Sequence, residues 1–229
     1  MIHVTLIHRS ALCRAAIVQL LQARGDFLVE ERESLAEAEA ADDDRPGRHP
    51  EPGDRQKTDI LLVEALLPGV RELTAGADPL SGEPPIVLIG DAETVPLPLL
   101  MSGAAGFIPG DLPPHTLAHA LYAVADGAAV LPRTSLRDLL LRAPVAARRP
   151  DPDAPDSALS RLSSREHQVL ALLGGGLSNS QIARRLALRP GTVKAYISSI
   201  YAKCDIASRV EAALVAHGLP APHSESVGP

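Results

Sequence analysis

Apolar residues in the first 140 positions form short runs that alternate with stretches of helical spacing. Runs bounded by turn residues predict five strands, at residues 2–7, 27–29, 60–63, 86–89 and 106–108. The intervening pattern predicts helices, among them residues 11–23 and 116–125. Strands that alternate with helices pair in parallel and are covered on both faces. The pattern therefore predicts an α/β fold with a doubly wound, five-stranded parallel sheet.

Two proline-containing stretches interrupt this alternation. Residues 42–57, DDDRPGRHPEPGDRQK, combine three prolines, two glycines and many charges, which predicts a loop. Residues 94–100, TVPLPLL, stand where a helix is expected after the fourth strand, but they contain Pro96 and Pro98. Because proline inside a helix removes a backbone hydrogen bond, we expect this helix to be short, late or missing.

The pattern after residue 159 is helical throughout. Ser163 with Glu166, and Ser178 with Gln181, have the spacing of two capping boxes, and Pro190 suits the first turn of a third helix. Two short helices joined by residues 188–191 predict a helix-turn-helix, in which the second helix enters the major groove of DNA. The second half is therefore predicted to be a small all-α helix-turn-helix domain.

The third helix of this half has one apolar and one polar face. Apolar residues recur at helical spacing at Val193, Ile197 and Ile200, and the other face carries small polar groups, a lysine and a tyrosine, at Thr192, Lys194, Ala195, Ser198 and Tyr201. Small side chains allow close approach to base edges, and lysines neutralise phosphates. The predicted DNA-binding residues are Ser178, Asn179, Thr192, Val193, Lys194, Ala195, Ser198 and Lys203.

The distribution of charged residues divides the chain into the same two parts as the pattern of apolar residues. Residues 1–141 contain 11 Lys+Arg and 21 Asp+Glu, whereas residues 160–219 contain 8 and 3. A basic unit beside an acidic one indicates that only the basic unit meets a polyanion. The predicted domains are residues 1–141, a Pro-rich linker at 142–159, the helix-turn-helix domain at 160–219 and a disordered tail at 220–229.

Candidate sites for chemistry are few. Cys13 and Cys204 lie far apart and outside any metal-binding spacing, which predicts neither a disulfide framework nor a zinc site. His115 and His119 are four residues apart but have no evident third ligand, so solvated imidazoles are favoured over a metal site. We find no catalytic triad, nucleotide motif, signal peptide or membrane span, and predict a cytoplasmic protein that is not an enzyme and uses no cofactor.

A family resemblance extends from residue 162 to residue 218. The spacing of Arg165-Glu166, Leu177-Ser178-Asn179, Ile182-Ala183, Thr192-Val193-Lys194, Ile200 and Lys203 is similar to that of the four-helix DNA-binding domain of the LuxR/NarL class. The resemblance implies binding to double-stranded operator DNA as a homodimer, and a last helix, here residues 208–217, that dimerises. Arg189, Tyr196 and Cys204 depart from the usual family residues, which leaves the base preference open.

The first domain resembles the receiver of a response regulator, but the resemblance stops at the reactive groups. Family receivers have two Mg²⁺-binding acids after the first strand, an Asp that is phosphorylated after the third, Thr or Ser after the fourth and Lys after the fifth. The residues found at these positions are His8, Arg9, Glu64, Gly90 and Gly110. Aspartyl phosphorylation needs a carboxylate nucleophile and a divalent cation. We therefore predict an atypical receiver that is not phosphorylated.

Glu64 then has three interpretations. It replaces the phosphorylated state permanently and pairs with Arg9; or it borders a pocket in which a small molecule controls the domain; or it is a carboxylate in solvent. Asp59 and Asp91 lie near strand ends, where solvated carboxylates are favoured over replacement metal ligands. The predicted function is a DNA-binding transcription regulator, with a metabolite-sensing regulator as the alternative.

Overall fold

The computed structural model describes residues 1–37, 58–77, 83–91, 97–132 and 158–218. The predicted loop at 42–57, the tail at 220–229 and most of the predicted linker lie outside these ranges. Among the helices of the described part, none combines the length and apolarity that crossing a bilayer requires.

The N-terminal domain contains five parallel strands in the order β2-β1-β3-β4-β5. Their bounds are β1 Ile2–Ile7, β2 Phe27–Arg32, β3 Ile60–Glu64, β4 Ile86–Gly90 and β5 Gly106–Pro109. The predicted doubly wound sheet is thus confirmed. β2 runs three residues beyond its apolar core, because an edge strand can extend its pairing with β1 through polar residues that face solvent.

Helices cover both faces of this sheet. Their bounds are α1 Ala11–Gln22, α2 Val70–Ala75, α3 Leu97–Ser102 and α4 Pro114–Ala125. α3 is short and begins after Pro96, as expected from the two prolines. One face packs β1 and β3 against α1 and α4 around Leu6, Leu62 and Leu121. The other packs β3 to β5 against α2 and α3 around Val63, Leu100 and Phe107.

The C-terminal domain comprises a 3-10 turn at Ala158–Arg161 followed by four helices within residues 158–218. These are α5 Ser164–Gly174, α6 Asn179–Leu186, α7 Pro190–Cys204 and α8 Arg209–Ala216. Both predicted capping boxes form, at Ser163 with Glu166 and at Ser178 with Gln181. The helices enclose a separate apolar core, built around Val169, Leu173, Ile182, Val193 and Ile200. The sheet domain and the helical domain therefore have separate hydrophobic cores.

Glu166 connects α5 to α7 inside this domain. Its carboxylate accepts hydrogen bonds from Lys203 Nζ at 2.7 and 2.8 Å, from Ser199 Oγ at 2.6 Å and from the Ser163 backbone N–H at 2.6 Å. The Lys203 ammonium, followed by the Ser199 hydroxyl and the Ser163 backbone, lowers the pKa of Glu166 to about 2. The side chain is only 4% exposed, so the carboxylate depends on these partners for its solvation.

We expect Glu166→Gln to lower the free energy of unfolding at neutral pH by about 1–2 kcal/mol, because Lys203 loses its ionic partner while remaining partly solvated. The folded-state pKa lies below the ordinary 4.5, so the stabilisation is complete above pH 4.5 and is lost as pH falls toward 2. Urea unfolding followed by circular dichroism across this range measures the effect. Glu72→Gln on α2 is the control, and an equal acid dependence in both variants would contradict the assignment.

Candidate functional site

The carboxyl ends of the strands bring the predicted receiver residues together. Glu64 is the last residue of β3, and His8 and Arg9 follow β1 directly. In the strand order 2-1-3-4-5 the connections reverse direction between β1 and β3, which is where open α/β sheets form their binding crevice. His8, Arg9 and Glu64 therefore border the crevice at this edge, which we call the carboxyl edge.

Arg9 binds both oxygens of the Glu64 carboxylate. Its Nη2 and Nε donate to Glu64 Oε1 at 2.7 and 3.2 Å, and its backbone N–H donates to Oε2 at 2.9 Å. Arg14 Nη1 donates to the carbonyl oxygens of His8 and Arg9 at 2.6 and 3.0 Å, which stabilises the turn that presents Arg9. The Glu64 side chain is 13% exposed. The interpretation of Glu64 as a carboxylate in solvent is therefore wrong.

The electrostatics of this edge favour an ionised Glu64 beside a neutral His8. Burial raises the pKa of Glu64, but the hydrogen bonds from the Arg9 side chain and backbone outweigh it and hold that pKa below its ordinary value. Burial lowers the pKa of His8 despite the nearby Glu64. His8 Nδ1 also accepts the Ser10 backbone N–H at 3.0 Å, so this nitrogen carries no proton toward Glu64, 3.5 Å away. Arg9 is thus the counter-charge of Glu64.

Gly90 and Gly110 complete the carboxyl edge. The Gly110 N–H donates to the Gly90 carbonyl oxygen at 2.8 Å, which joins the ends of β4 and β5. A Cβ added at Gly90 would lie 3.3 Å from the Ala65 Cβ, so the backbone approaches closely here. Neither glycine supplies a side-chain donor, and a phosphoryl group at this edge would therefore lack the hydroxyl and ammonium partners of a family receiver.

The two carboxylates that could replace the missing metal ligands lie at opposite edges of the sheet. Asp59 accepts the His3 backbone N–H at 3.0 Å, at the amino ends of β1 and β3, opposite to Glu64. Asp91 directly follows β4 at the carboxyl edge and is exposed. Within the ranges that the structure describes, no three His, Cys, Asp or Glu side chains are grouped to hold a metal ion. Glu64, at the end of β3, is already neutralised by Arg9.

Helix α7 presents much of the predicted DNA-reading face to solvent. Thr192, Lys194 and Ala195 are exposed in its first turns, and Ser198 is half-buried one turn later. Pro190 occupies the first turn, where its missing N–H breaks no helical hydrogen bond. Lys194 supplies a positive charge on this exposed surface, and Arg189, which is also exposed, directly precedes the helix.

Two residues of α7 do not lie where the sequence placed them. Val193 is fully buried in the domain core and presents no side chain to a groove, so its inclusion among the DNA-binding residues is wrong. Tyr201 is 4% exposed, and burial raises the pKa of its hydroxyl. Both side chains lie on the side of α7 that packs against α5 and α6.

Lys203 is also placed differently from its expected role at the DNA backbone. Its ammonium donates to both oxygens of Glu166, and its side chain is 38% exposed. Lys203 therefore forms an ion pair between α7 and α5. If its ammonium also contacted a DNA phosphate, it would have to interact with Glu166 and the phosphate at the same time.

Ser178 and Asn179 lie at the start of α6, and the N-terminal domain contacts them. Asp126, at the end of α4, binds the hydroxyls of Ser178 and Ser180 through its carboxylate. Its carbonyl oxygen accepts the Asn179 N–H at 3.1 Å. Arg209 donates to Asn179 Oδ1 at 3.1 Å. Sequence reasoning missed Asp126 and Arg209, because an acid at a helix end and a basic residue in an amphipathic helix are ordinary features of any surface.

Comparison with known proteins relates both domains to one class of regulator. A family described as bacterial regulatory proteins, luxR family, matches residues 160–216. The DNA-binding transcriptional activator DevR/DosR of Mycobacterium tuberculosis is 30% identical over 234 aligned residues, with 100% of both chains covered. The nitrate/nitrite response regulator protein NarL of Escherichia coli is 30% identical, with 69% of this chain and 73% of NarL covered.

Among solved structures, the response regulator ChrA of a heme-sensing two-component system covers 94% of this chain and 96% of its own at 25% identity, with a TM-score of 0.45. The full-length match to DevR/DosR, the luxR-family match and the receiver-like sheet agree with one another. The chain belongs to the LuxR/NarL family of DNA-binding transcriptional response regulators.

Proposed function

We propose that this regulator controls transcription without aspartyl phosphorylation, and that the Arg9–Glu64 ion pair permanently replaces the phosphate and metal ion of a family receiver. The observation that carries the proposal is the placement of Arg9, whose guanidinium and backbone N–H bind both oxygens of Glu64. On this proposal the Arg9 guanidinium takes the place of the metal ion. Unlike a metal ion, it is part of the chain and cannot dissociate.

Three features of the carboxyl edge support this proposal chemically. Phosphoryl transfer to a carboxylate needs a free oxygen nucleophile, and both Glu64 oxygens accept hydrogen bonds. A divalent cation needs oxygen ligands, and the residues after β1 are His8 and Arg9. The product would also need donors, and Gly90 and Gly110 provide no side chain. The reactive groups of a family receiver are therefore replaced at each of the five matched positions.

The metabolite-sensing alternative needs polar groups that are available to a ligand in the crevice. Glu64, the acid that would border such a pocket, is already bound by Arg9 and is 13% exposed. Because Arg9 already binds both Glu64 oxygens, a ligand would have to displace Arg9 in order to reach the Glu64 carboxylate. The ion pair therefore favours the first interpretation over the second.

For the DNA complex, we infer that Thr192, Lys194, Ala195 and Ser198 enter the major groove. Their exposure on α7, next to the turn that joins it to α6, matches the way a helix-turn-helix presents its second helix. We further infer that two copies bind paired half-sites about one helical turn apart, as family members with this domain are expected to do. Ser178 and Asn179 would then contact the DNA backbone from the start of α6.

Acetyl phosphate with Mg²⁺ is expected to leave the chain unmodified and its DNA affinity unchanged, because no free nucleophile faces a metal ion at the carboxyl edge. Intact-protein mass spectrometry and gel shift measure the two outcomes, with a conventional receiver treated in parallel. A phosphoryl adduct on Glu64 would overturn the proposal.

Glu64→Gln and Arg9→Ala are each expected to weaken operator binding by about fivefold or more, since each breaks the ion pair that, on this proposal, holds the N-terminal domain in the state that favours DNA binding. The double variant should lose no more than either single variant, because the pair is already broken. Fluorescence anisotropy with labelled operator measures the three affinities. Wild-type affinity in all three would show that the pair only stabilises the domain.

Lys194→Ala is expected to weaken DNA binding and to reduce the slope of log affinity against log salt by about one unit if the ammonium contacts a phosphate. Arg71→Ala, which removes an exposed charge from α2, is the control for net charge. Binding titrations at several salt concentrations separate the two. A salt slope unchanged from wild type would place Lys194 away from the phosphates.

A further inference from the structure

The helix-turn-helix lies in a stretch of the chain that has cations but no acids. Residues 167–204 contain no Asp or Glu and five basic residues, at Arg184, Arg185, Arg189, Lys194 and Lys203. Glu166 pairs with Lys203, and the other four basic residues are exposed. All four can therefore meet the phosphates or the base edges of DNA, but they occupy different places in the fold.

Arg189 is the N-cap residue of α7, and the other three helices of the domain begin differently. Ser163, Ser178 and Ser208 precede α5, α6 and α8, and the hydroxyl of each accepts a backbone N–H three residues later. A guanidinium has no acceptor atom, so the side chain of Arg189 cannot cap α7 in this way. The carbonyl oxygen of Arg189 serves the helix instead and accepts the Thr192 N–H at 3.0 Å.

The charge of Arg189 is also unfavourable for the helix that it precedes. The N-terminus of a helix carries a partial positive charge, whereas Arg184 and Arg185 lie in the last turn of α6, where the helix dipole favours cations. Within the ranges that the structure describes, no hydrogen bond or ion pair to the Arg189 guanidinium compensates for this. A residue that opposes both capping and the helix dipole without compensation is typical of a functional position.

Arg189 is placed at the end of α7 with which a helix-turn-helix reads bases. In this motif the N-terminal residues of the second helix contact base edges, while the first helix crosses the DNA backbone. Among the residues inferred to enter the groove, Thr192, Ala195 and Ser198 have short side chains, and Lys194 ends in a single ammonium. Arg189 adds a planar group that can donate two parallel hydrogen bonds to O6 and N7 of one guanine.

We propose that Arg189 is a specificity-determining residue that reads one guanine in each half-site, with its guanidinium donating to O6 and N7 in the major groove. Arg184 and Arg185, on the first helix of the motif, contact phosphates and contribute no base preference. The free domain keeps α7 without a side-chain cap, and the base contact compensates for this in the DNA complex. Arg189 thus lowers the stability of the free domain and increases its sequence discrimination.

Reading of guanine by Arg189 rests on the proposed placement of α7 in the major groove and names a base that α7 meets there. It does not depend on the Arg9–Glu64 pair, which lies in the other domain. If Lys194→Ala weakens binding and the Arg189 variant does not, α7 lies on DNA and the guanine contact alone is wrong. If neither variant alters binding, the placement of α7 itself is wrong.

Selection of binding sites from a random-sequence duplex library, with the full chain, tests the base preference. The wild-type protein is expected to enrich guanine at one position in each half-site. Arg189→Ser should lose this enrichment at that position alone and bind the selected operator about fivefold or more weakly. Arg184→Ser removes the same charge from α6 and should leave the selected sequence unchanged. Guanine enrichment that persists in Arg189→Ser, or is lost equally in Arg184→Ser, would overturn the proposal.

Replacement of the selected guanine by 7-deazaguanine tests the contact at a single atom, because it removes the N7 acceptor and leaves the base pair and the phosphates in place. We expect the affinity of the wild-type protein to fall about fivefold or more, and Arg189→Ser to bind both operators equally. Fluorescence anisotropy measures the four affinities. If the wild-type protein and Arg189→Ser respond equally to the modified base, Arg189 does not contact guanine N7 and the proposal is refuted.

The stability of Arg189→Ser distinguishes a DNA contact from a structural role. Serine can cap α7 and removes the cation from the helix N-terminus, so the melting temperature of the free protein should rise by about 2–4 °C. Scanning calorimetry measures this shift. Weaker and less selective DNA binding by a protein that is more stable than wild type does not come from misfolding. A melting temperature below that of wild type would show that Arg189 serves the fold and would contradict the proposal.

Discussion

A carboxylate that is largely withdrawn from water must find a compensating charge, and in this protein that requirement organises the carboxyl edge of the sheet. Glu64 ends a strand paired on both sides, and its side chain is only 13% exposed. In the family receiver a metal ion supplies the compensation and can leave. Here Arg9 supplies it from the neighbouring strand, and Arg14 holds the turn in place. On the proposed function, a reversible charge balance is thereby replaced by one that the chain itself supplies.

A permanent counter-charge changes how the receiver fold can be used. A metal-bound aspartate has two states, because the phosphoryl group comes and goes. In the Arg9–Glu64 pair, whose side chains are 57% and 13% exposed, both charged groups belong to the chain and neither can dissociate from it. On the proposed function, regulation of such a chain acts on an equilibrium other than phosphorylation. The two domains also contact each other away from this edge, where Asp126 binds the hydroxyls of Ser178 and Ser180.

Much of the fold followed from local patterns. Apolar runs located all five strands. The helix at Pro96 and Pro98 is short, as expected, and Ser163 and Ser178 cap helices where the capping pattern placed them. These features depend on residues close in sequence, so periodicity and capping chemistry report them directly. The residues that border the crevice could also be identified from the sequence, because parallel strands bring their carboxyl ends to one edge of the sheet.

Features that depend on long-range contacts could not be obtained in this way. Lys203 was assigned to DNA because it is a lysine near a recognition helix, yet Glu166, 37 residues earlier, binds it. Val193 belongs to two patterns at once, the apolar stripe and the groove motif, and only burial distinguishes them. Asp126 pairs with residues more than 50 positions away in another domain, and nothing in its surroundings indicates a partner.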